Sequence, residues 1–142
     1  MEDDMPEVNV QHQIIEWMNL NGHAVWLNEI PPGVPNSHSP TGYRRAANRR
    51  TPDIVGTLKG GRAVFIEVKA EKYRDQVTRL WTGLLKQDYS VYRTFTLGHA
   101  KETDRARGQA ENMVWLNKTG ALCMFAFCLE DVQLAVEAQD KK

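Results

Sequence analysis

The stretch Thr51-Pro-Asp-Ile-Val-Gly-Thr-Leu-Lys-Gly-Gly-Arg-Ala-Val-Phe-Ile-Glu-Val-Lys69 decides the fold. Gly60-Gly61 separates two β-prone runs and reads as the turn of a hairpin. The second strand would run Ala63-Val-Phe-Ile-Glu-Val-Lys69, and Asp53 would open the first. Side chains alternate along a strand, so Glu67 and Lys69 share a face with Phe65, while Val64, Ile66 and Val68 take the other. A carboxylate and an ammonium on a covered face are costly unless they pair or bind a metal.

Loop parity decides where Asp53 stands. With the turn centred between Gly60 and Gly61, Asp53 faces Val68 and points away from Glu67. With an odd loop or a bulge, it joins the face of Glu67 and Lys69. Two carboxylates side by side repel unless a cation lies between them. Hard oxygen ligands suit Mg²⁺ or Mn²⁺. A lysine two residues on would stand by an attacking water or by a phosphate. The competing readings are a Glu67–Lys69 ion pair at a sheet edge and an Asx turn at Asp53 after Pro52.

Outward from the hairpin, helices and strands follow one another. A first helix is expected from Met5 to Asn21, with Asp4 as N-cap and Glu7 as its capping-box partner. His23–Ile30 reads as a strand, and 31–52 as a long loop rich in Pro, Gly, Asn and Ser. Asp75–Lys86 carries the helical stripe Val77, Leu80, Trp81, Leu84 and Leu85, which covers the sheet or meets a second copy. Tyr89–Leu97 alternates like a strand, and Gly98–Gly108 reads as a polar loop. Gln109–Lys118 is a helix closed by Gly120. Ala121–Cys128 is a buried strand, and Leu129–Ala138 a closing helix with a frayed tail. The order predicts a single α/β domain over 1–142, with a central mixed sheet flanked by helices.

The chain has 142 residues, of which 42% are hydrophobic and 25% charged, enough for one globular core. No apolar run is long enough to span a bilayer, and the acidic start Met-Glu-Asp-Asp-Met-Pro is unlike a secretory signal. A cytoplasmic location without membrane contact is therefore expected. Cys123 and Cys128 flank an apolar run and read as buried thiols. His12, His23, His38 and His99 are scattered, so a zinc site has no support. Net charge is zero, but 31–52 has no acidic residue and holds Arg44, Arg45, Arg49 and Arg50. With Tyr43 they form a candidate phosphate-binding run, against the plainer reading of a solvated basic loop.

Pro52-Asp53, Glu67 and Lys69 together resemble the signature of the PD-(D/E)XK nuclease superfamily. Within it the chain is similar to the stand-alone VRR-NUC (virus-type replication-repair nuclease) domains of phages and prophages. The likeness extends to Gln109-Ala-Glu-Asn-Met-Val-Trp-Leu-Asn-Lys-Thr-Gly-Ala121, to Leu129-Glu-Asp-Val132 and to Glu7-Val-Asn-Val-Gln11. It leaves out about 71–107, an extra helix and strand where such domains pass quickly from the Lys strand to the Gln helix.

The resemblance implies the nuclease fold and a divalent-metal-dependent DNA endonuclease in a bacterial host cell. It implies Mg²⁺ or Mn²⁺ held by Asp53, Glu67 and the carbonyl of Val68, with Glu7 holding a metal water or second metal and Glu16 well behind it. Lys69 would be the catalytic lysine. Gln109 would stand by the lysine or the scissile phosphate, with Gln76 as its rival. The products would be 5′-phosphate and 3′-hydroxyl ends. A homodimer acting in DNA repair on branched DNA such as a four-way (Holliday) junction fits the stand-alone members. Arg105 and Arg107 are weaker phosphate candidates. The alternatives are a restriction-type endonuclease, which would need a sequence-reading element, and a non-catalytic nucleic-acid-binding module on a nuclease scaffold.

Overall fold

The computed structural model describes residues 5–28 and 52–140. Four strands form one sheet in the order β1-β2-β3-β4: Ala24–Leu27, Ile54–Thr57, Ala63–Val68 and Leu122–Ala126. The first three pair antiparallel and β4 runs parallel to β3, so the sheet is mixed, as expected. The helices are α1 (Glu7–Leu20), α2 (Arg74–Leu85), α3 (Ala100–Lys118) and α4 (Leu129–Asp140). None of these is long and apolar enough to cross a membrane.

The pleat divides the interior into two cores. Ile54, Val64, Ile66, Val68 and Ala126 pack with Val10, Ile14 and Met18 of α1 and with Val132 and Val136 of α4. On the other face, Cys123, Phe125 and Phe127 pack with Val77, Leu80 and Leu84 of α2 and with Ala106, Ala110 and Met113 of α3. The apolar stripe of α2 therefore covers the sheet, with Trp81 edge-on to Phe125 at 5.7 Å. Cys123 is buried here, and burial pushes its thiol up to about 11, which suits an inert packing role. Cys128 is only partly buried.

Several expectations are corrected. The first helix begins at Glu7, with Pro6 at the cap position and no side-chain cap. The carbonyl of Pro6 accepts from Asn9 and Val10, which fixes that start, so Glu7 opens the helix instead of closing a capping box. Asp4 lies outside the described residues, as do 29–51. Tyr89–Leu97 is no strand. Its first half is a 3-10 turn, Tyr89–Arg93, opened by the Asp88 side chain accepting from Ser90. This segment lies against the helical layer: Val91 fills the space beside Gly83 of α2, where an added Cβ would come 2.3 Å from Val91 Cγ1. Nor is Gly98–Gly108 a loop, because α3 starts at Ala100 with His99 Nδ1 accepting from the Glu102 N–H. Thr103 is buried and bonds the backbone of Leu97 in both directions, a polar residue satisfied inside the helix start. Gly120, at φ +101°, follows the end of α3 as expected.

Candidate metal and active-site cleft

The hairpin loop fixes the site. Leu58 N–H donates to Arg62 (2.8 Å), and Gly61 N–H returns to the Leu58 carbonyl (2.7 Å). Gly61 sits at φ +96°, in the left-handed region where glycine is favoured. The loop between those partners is Lys59-Gly60-Gly61, an odd number, ending in a glycine bulge. Ile54 pairs with Ile66 in consequence, and one step further Asp53 comes opposite Glu67. Of the two alternatives left open by the sequence, this is the one that brings both carboxylates to one face.

The pair is tied to its own backbone. Asp53 N–H donates to Glu67 Oε1 (3.1 Å), and Val68 N–H donates to Asp53 Oδ2 (3.0 Å). On the other side, Asn28 N–H donates to the Asp53 carbonyl (2.7 Å) and Asn28 Nδ2 to the Pro52 carbonyl (3.3 Å), extending the β1–β2 ladder. Lys69 is anchored through its N–H to the Ala126 carbonyl of β4 (3.0 Å). Its Nζ stands 3.6 Å from Glu67 Oε2. Glu67 is 3% exposed and Lys69 7%.

The electrostatics lack positive charge. Burial pushes the Glu67 carboxyl well above the usual range, the neighbouring Asp53 raises it further, and Lys69 opposes this without cancelling it. Glu7 is exposed as a residue but lines the same cleft. There burial raises its carboxyl first, Lys69 lowers it, and Asp53 and Glu102 raise it again.

The cleft has a volume of about 200 Å³ and is lined by Glu7, Asp53, Glu67, Lys69 and Gln109 together with Tyr73, Leu97, Glu102 and Arg105. Gln109 reaches it from α3. It is 4% exposed, and its Oε1 is buried without a hydrogen-bond partner. A buried acceptor aimed into a polar cleft calls for a donor that the described residues do not provide. Gln76 lines a different hollow, beside Arg79 and Lys86, so the structure brings Gln109 and not Gln76 to the carboxylates. Glu16 is exposed and does not line the cleft. Tyr43, Arg44, Arg45, Arg49 and Arg50 lie outside the described residues.

Among the described residues, no three His, Cys, Asp or Glu side chains stand gathered as a metal cluster. The donor set nonetheless fits a hard dication. Two carboxyl groups with hard oxygens share one face, and a cation between them would offset the burial and the like charge that push Glu67 up. The orphaned Gln109 oxygen would accept from a water in that space.

Sequence reasoning missed Tyr73, Leu97 and Glu102 as cleft residues. Glu102, Arg105 and Gln109 recur at helical spacing on one face. Reading 98–108 as helix would have found them. No family model, curated protein or solved structure matches the chain.

Proposed function

We propose that this chain is a divalent-metal-dependent endonuclease of the PD-(D/E)XK type, similar to stand-alone VRR-NUC domains, that hydrolyses phosphodiester bonds in branched DNA as a homodimer. The observation that carries the reading is the odd hairpin loop, which sets Asp53 opposite Glu67 with Lys69 beside them. An ordinary sheet gains nothing from setting a half-buried carboxylate against a buried one on the same face, and a metal-dependent hydrolase requires such a pair.

Asp53 and Glu67 would hold the Mg²⁺ or Mn²⁺, with the Val68 carbonyl and Glu7 as further donors. When bound, the cation would supply Lewis acidity toward the phosphoryl oxygen and toward the attacking water. The protein's own residues do the positioning. Lys69, anchored through its backbone N–H and with its ammonium 3.6 Å from Glu67, donates to the attacking water or to a non-bridging phosphate oxygen and stabilises charge that develops there. Gln109 Oε1 accepts from that water and orients it for in-line attack. Water adds to phosphorus and the P–O3′ bond breaks. The attacking water gives up one proton to solvent and the leaving 3′ oxygen takes one from a solvent water, so the products are a 5′-phosphate and a 3′-hydroxyl. Tyr43, Arg44, Arg45, Arg49 and Arg50 precede the Pro-Asp pair in the sequence, and as cationic and aromatic side chains they would contribute phosphate contacts to the bound DNA.

The test is cleavage of labelled single-stranded, duplex, flap and four-way DNA in Mg²⁺ or Mn²⁺ by wild type, Asp53→Asn and Lys69→Ala. Wild type should cut at least one substrate, and both variants should lose at least about a hundredfold in rate while keeping their thermal midpoints within a few degrees. Cutting by Lys69→Ala at the wild-type rate would overturn the assignment.

A further inference from the structure

The segment 71–107, which the resemblance leaves out, contributes Tyr73, Leu97, Glu102 and Arg105 to the cleft wall. It is therefore part of the site and not an accessory. Its charges decide what the cleft can admit. The lining carries four carboxyl groups (Glu7, Asp53, Glu67 and Glu102) but only two basic side chains, Lys69 and Arg105. A DNA strand brings further negative charge, so its phosphates need a cation free to meet them.

Lys69 is not free in that sense, because its side chain is 8% exposed and held by Glu67. Arg107 does not line the cleft and is committed elsewhere. It donates to the Tyr92 carbonyl at 2.8 Å, lies over the Tyr92 ring at 5.4 Å and stands 3.8 Å from Asp104. Arg105 differs from both. Its side chain is 39% exposed, and its only ion pair among the described residues is a long one, Nη1 to Glu102 Oε1 at 3.7 Å. Such a pair between exposed groups contributes little, so the guanidinium can leave it for a phosphate at small cost. The Glu102 backbone N–H is fixed by the His99 cap, and its carboxylate lies in the first turn of α3, where the helix N-terminus favours negative charge. Arg105 stands one turn before Gln109 on the same helical face, and Gln109 carries the buried unpartnered oxygen.

We propose that Arg105 is a substrate-binding residue of this cleft, gripping a backbone phosphate of the bound DNA strand, with Glu102 as its partner in the free protein. The guanidinium fork matches two phosphate oxygens, which an ammonium cannot do. The inference rests on the nuclease reading above.

The experiment measures binding of fluorescein-labelled duplex and four-way DNA to the full chain in Ca²⁺ across a range of salt, then cleavage in Mn²⁺. Arg105→Ala should weaken binding about tenfold and flatten the duplex salt slope by about 0.9, one phosphate contact. KM should rise in parallel, with kcat on saturating DNA within about threefold of wild type. Arg105→Lys should recover the salt slope and only part of the affinity. Glu102→Gln should tighten binding, since it removes both the competing partner and a like charge. Arg105→Ala with wild-type Kd and salt slope, beside a wild type that cuts and a Lys69→Ala that does not, overturns this inference and leaves the nuclease reading standing. A fall in kcat at unchanged Kd overturns it as well, moving Arg105 into the chemical step. A wild type that neither binds nor cuts any DNA defeats the nuclease reading itself, and the inference falls with it.

Discussion

Binding of a divalent cation should expel one proton from Glu67, and this can be counted. Without metal, burial and the adjacent Asp53 hold the Glu67 carboxyl in its acid form well above the usual carboxylate range, and Lys69 offsets only part of this. The sign follows from linkage. A carboxyl whose folded pKa is raised stabilises the fold through its protonated form. That contribution is fully present below about 4.5, the unfolded value, and is lost as pH rises through the folded value. The metal-free protein should therefore lose stability across that window.

A dication binds only the ionised form. Below Glu67's folded pKa, its affinity should rise about tenfold per pH unit, equivalent to about 1.4 kcal/mol, and flatten above it. At Mn²⁺ one hundred times its Kd the stabilisation is about 2.7 kcal/mol, a rise in midpoint of roughly 8–10 °C for a domain of this size. Thermal scans from pH 5.5 to 8 with and without Mn²⁺ read the stability. Calorimetry in two buffers of different ionisation heat counts the proton. Glu67→Gln should be more stable than wild type without metal at high pH, and should lose the Mn²⁺ response. A metal-free stability that does not fall as pH rises above the ordinary carboxylate range, or a Glu67→Gln that keeps the full Mn²⁺ response, would refute the reasoning.

Three further outcomes follow from packing. At Gly56 an added Cβ would lie 2.0 Å from the Ala24 carbonyl oxygen and 2.7 Å from Val25 Cα, both backbone atoms; Gly56→Ala should cost at least about 3 kcal/mol, and an unchanged urea midpoint would contradict the β1–β2 register. Gly83→Ala meets the Val91 side chain first, at 2.3 Å, and helix propensity returns about 1 kcal/mol, so its net loss should be up to about 2 kcal/mol; a gain in stability would mean the 3-10 turn is not packed there. Asp131 accepts from Arg74 Nη1 (3.0 Å) and from the N–H groups of Phe127 (2.8 Å) and Cys128 (3.3 Å). Burial raises its carboxyl, but these donors together hold it below the ordinary range. Its stabilisation is therefore present above about 3.8 and lost as pH falls through its folded value. Asp131→Ala should cost about 1–2 kcal/mol at neutral pH, and urea midpoints of variant and wild type should converge in acid; a gap that stays constant to the lowest pH would show that packing, not charge, is lost.

The hairpin and the apolar helices were legible because their signals are local. Gly60-Gly61 between β-branched runs, the α2 stripe and the Gly120 stop each report on a few neighbouring residues. Loop parity was not, since Leu58 and Arg62 had to be seen paired before Asp53 could be placed. The start of α3 was misread because its inward face is polar. Glu102 and Arg105 look into the cleft and Thr103 bonds Leu97, so the helix lacks the apolar stripe by which helices are recognised. Tyr89–Leu97 alternates like a strand, yet Phe95 and Leu97 are buried in the core shared with α2 and α3. Alternation reports a half-buried segment, and only the tertiary setting says what buries it.

The pleat that puts Ile54, Ile66 and Val68 among Ile14 and Val132 is the same pleat that turns Asp53, Glu67 and Lys69 toward α3. Assembly of the carboxylates is thus subordinate to oil–water sorting: the greasy residues choose the frame and the acids inherit it. A hairpin slipped by one residue would turn Glu67 into the core of Ile14 and Val132 and carry Val64, Ile66 and Val68 to the face that holds the cleft. Such a conformer is excluded long before chemistry could matter. Molecules of this chain should therefore come in two kinds, folded with the acids assembled or unfolded without them, so that the specific activity of the proposed nuclease would gauge the folded fraction.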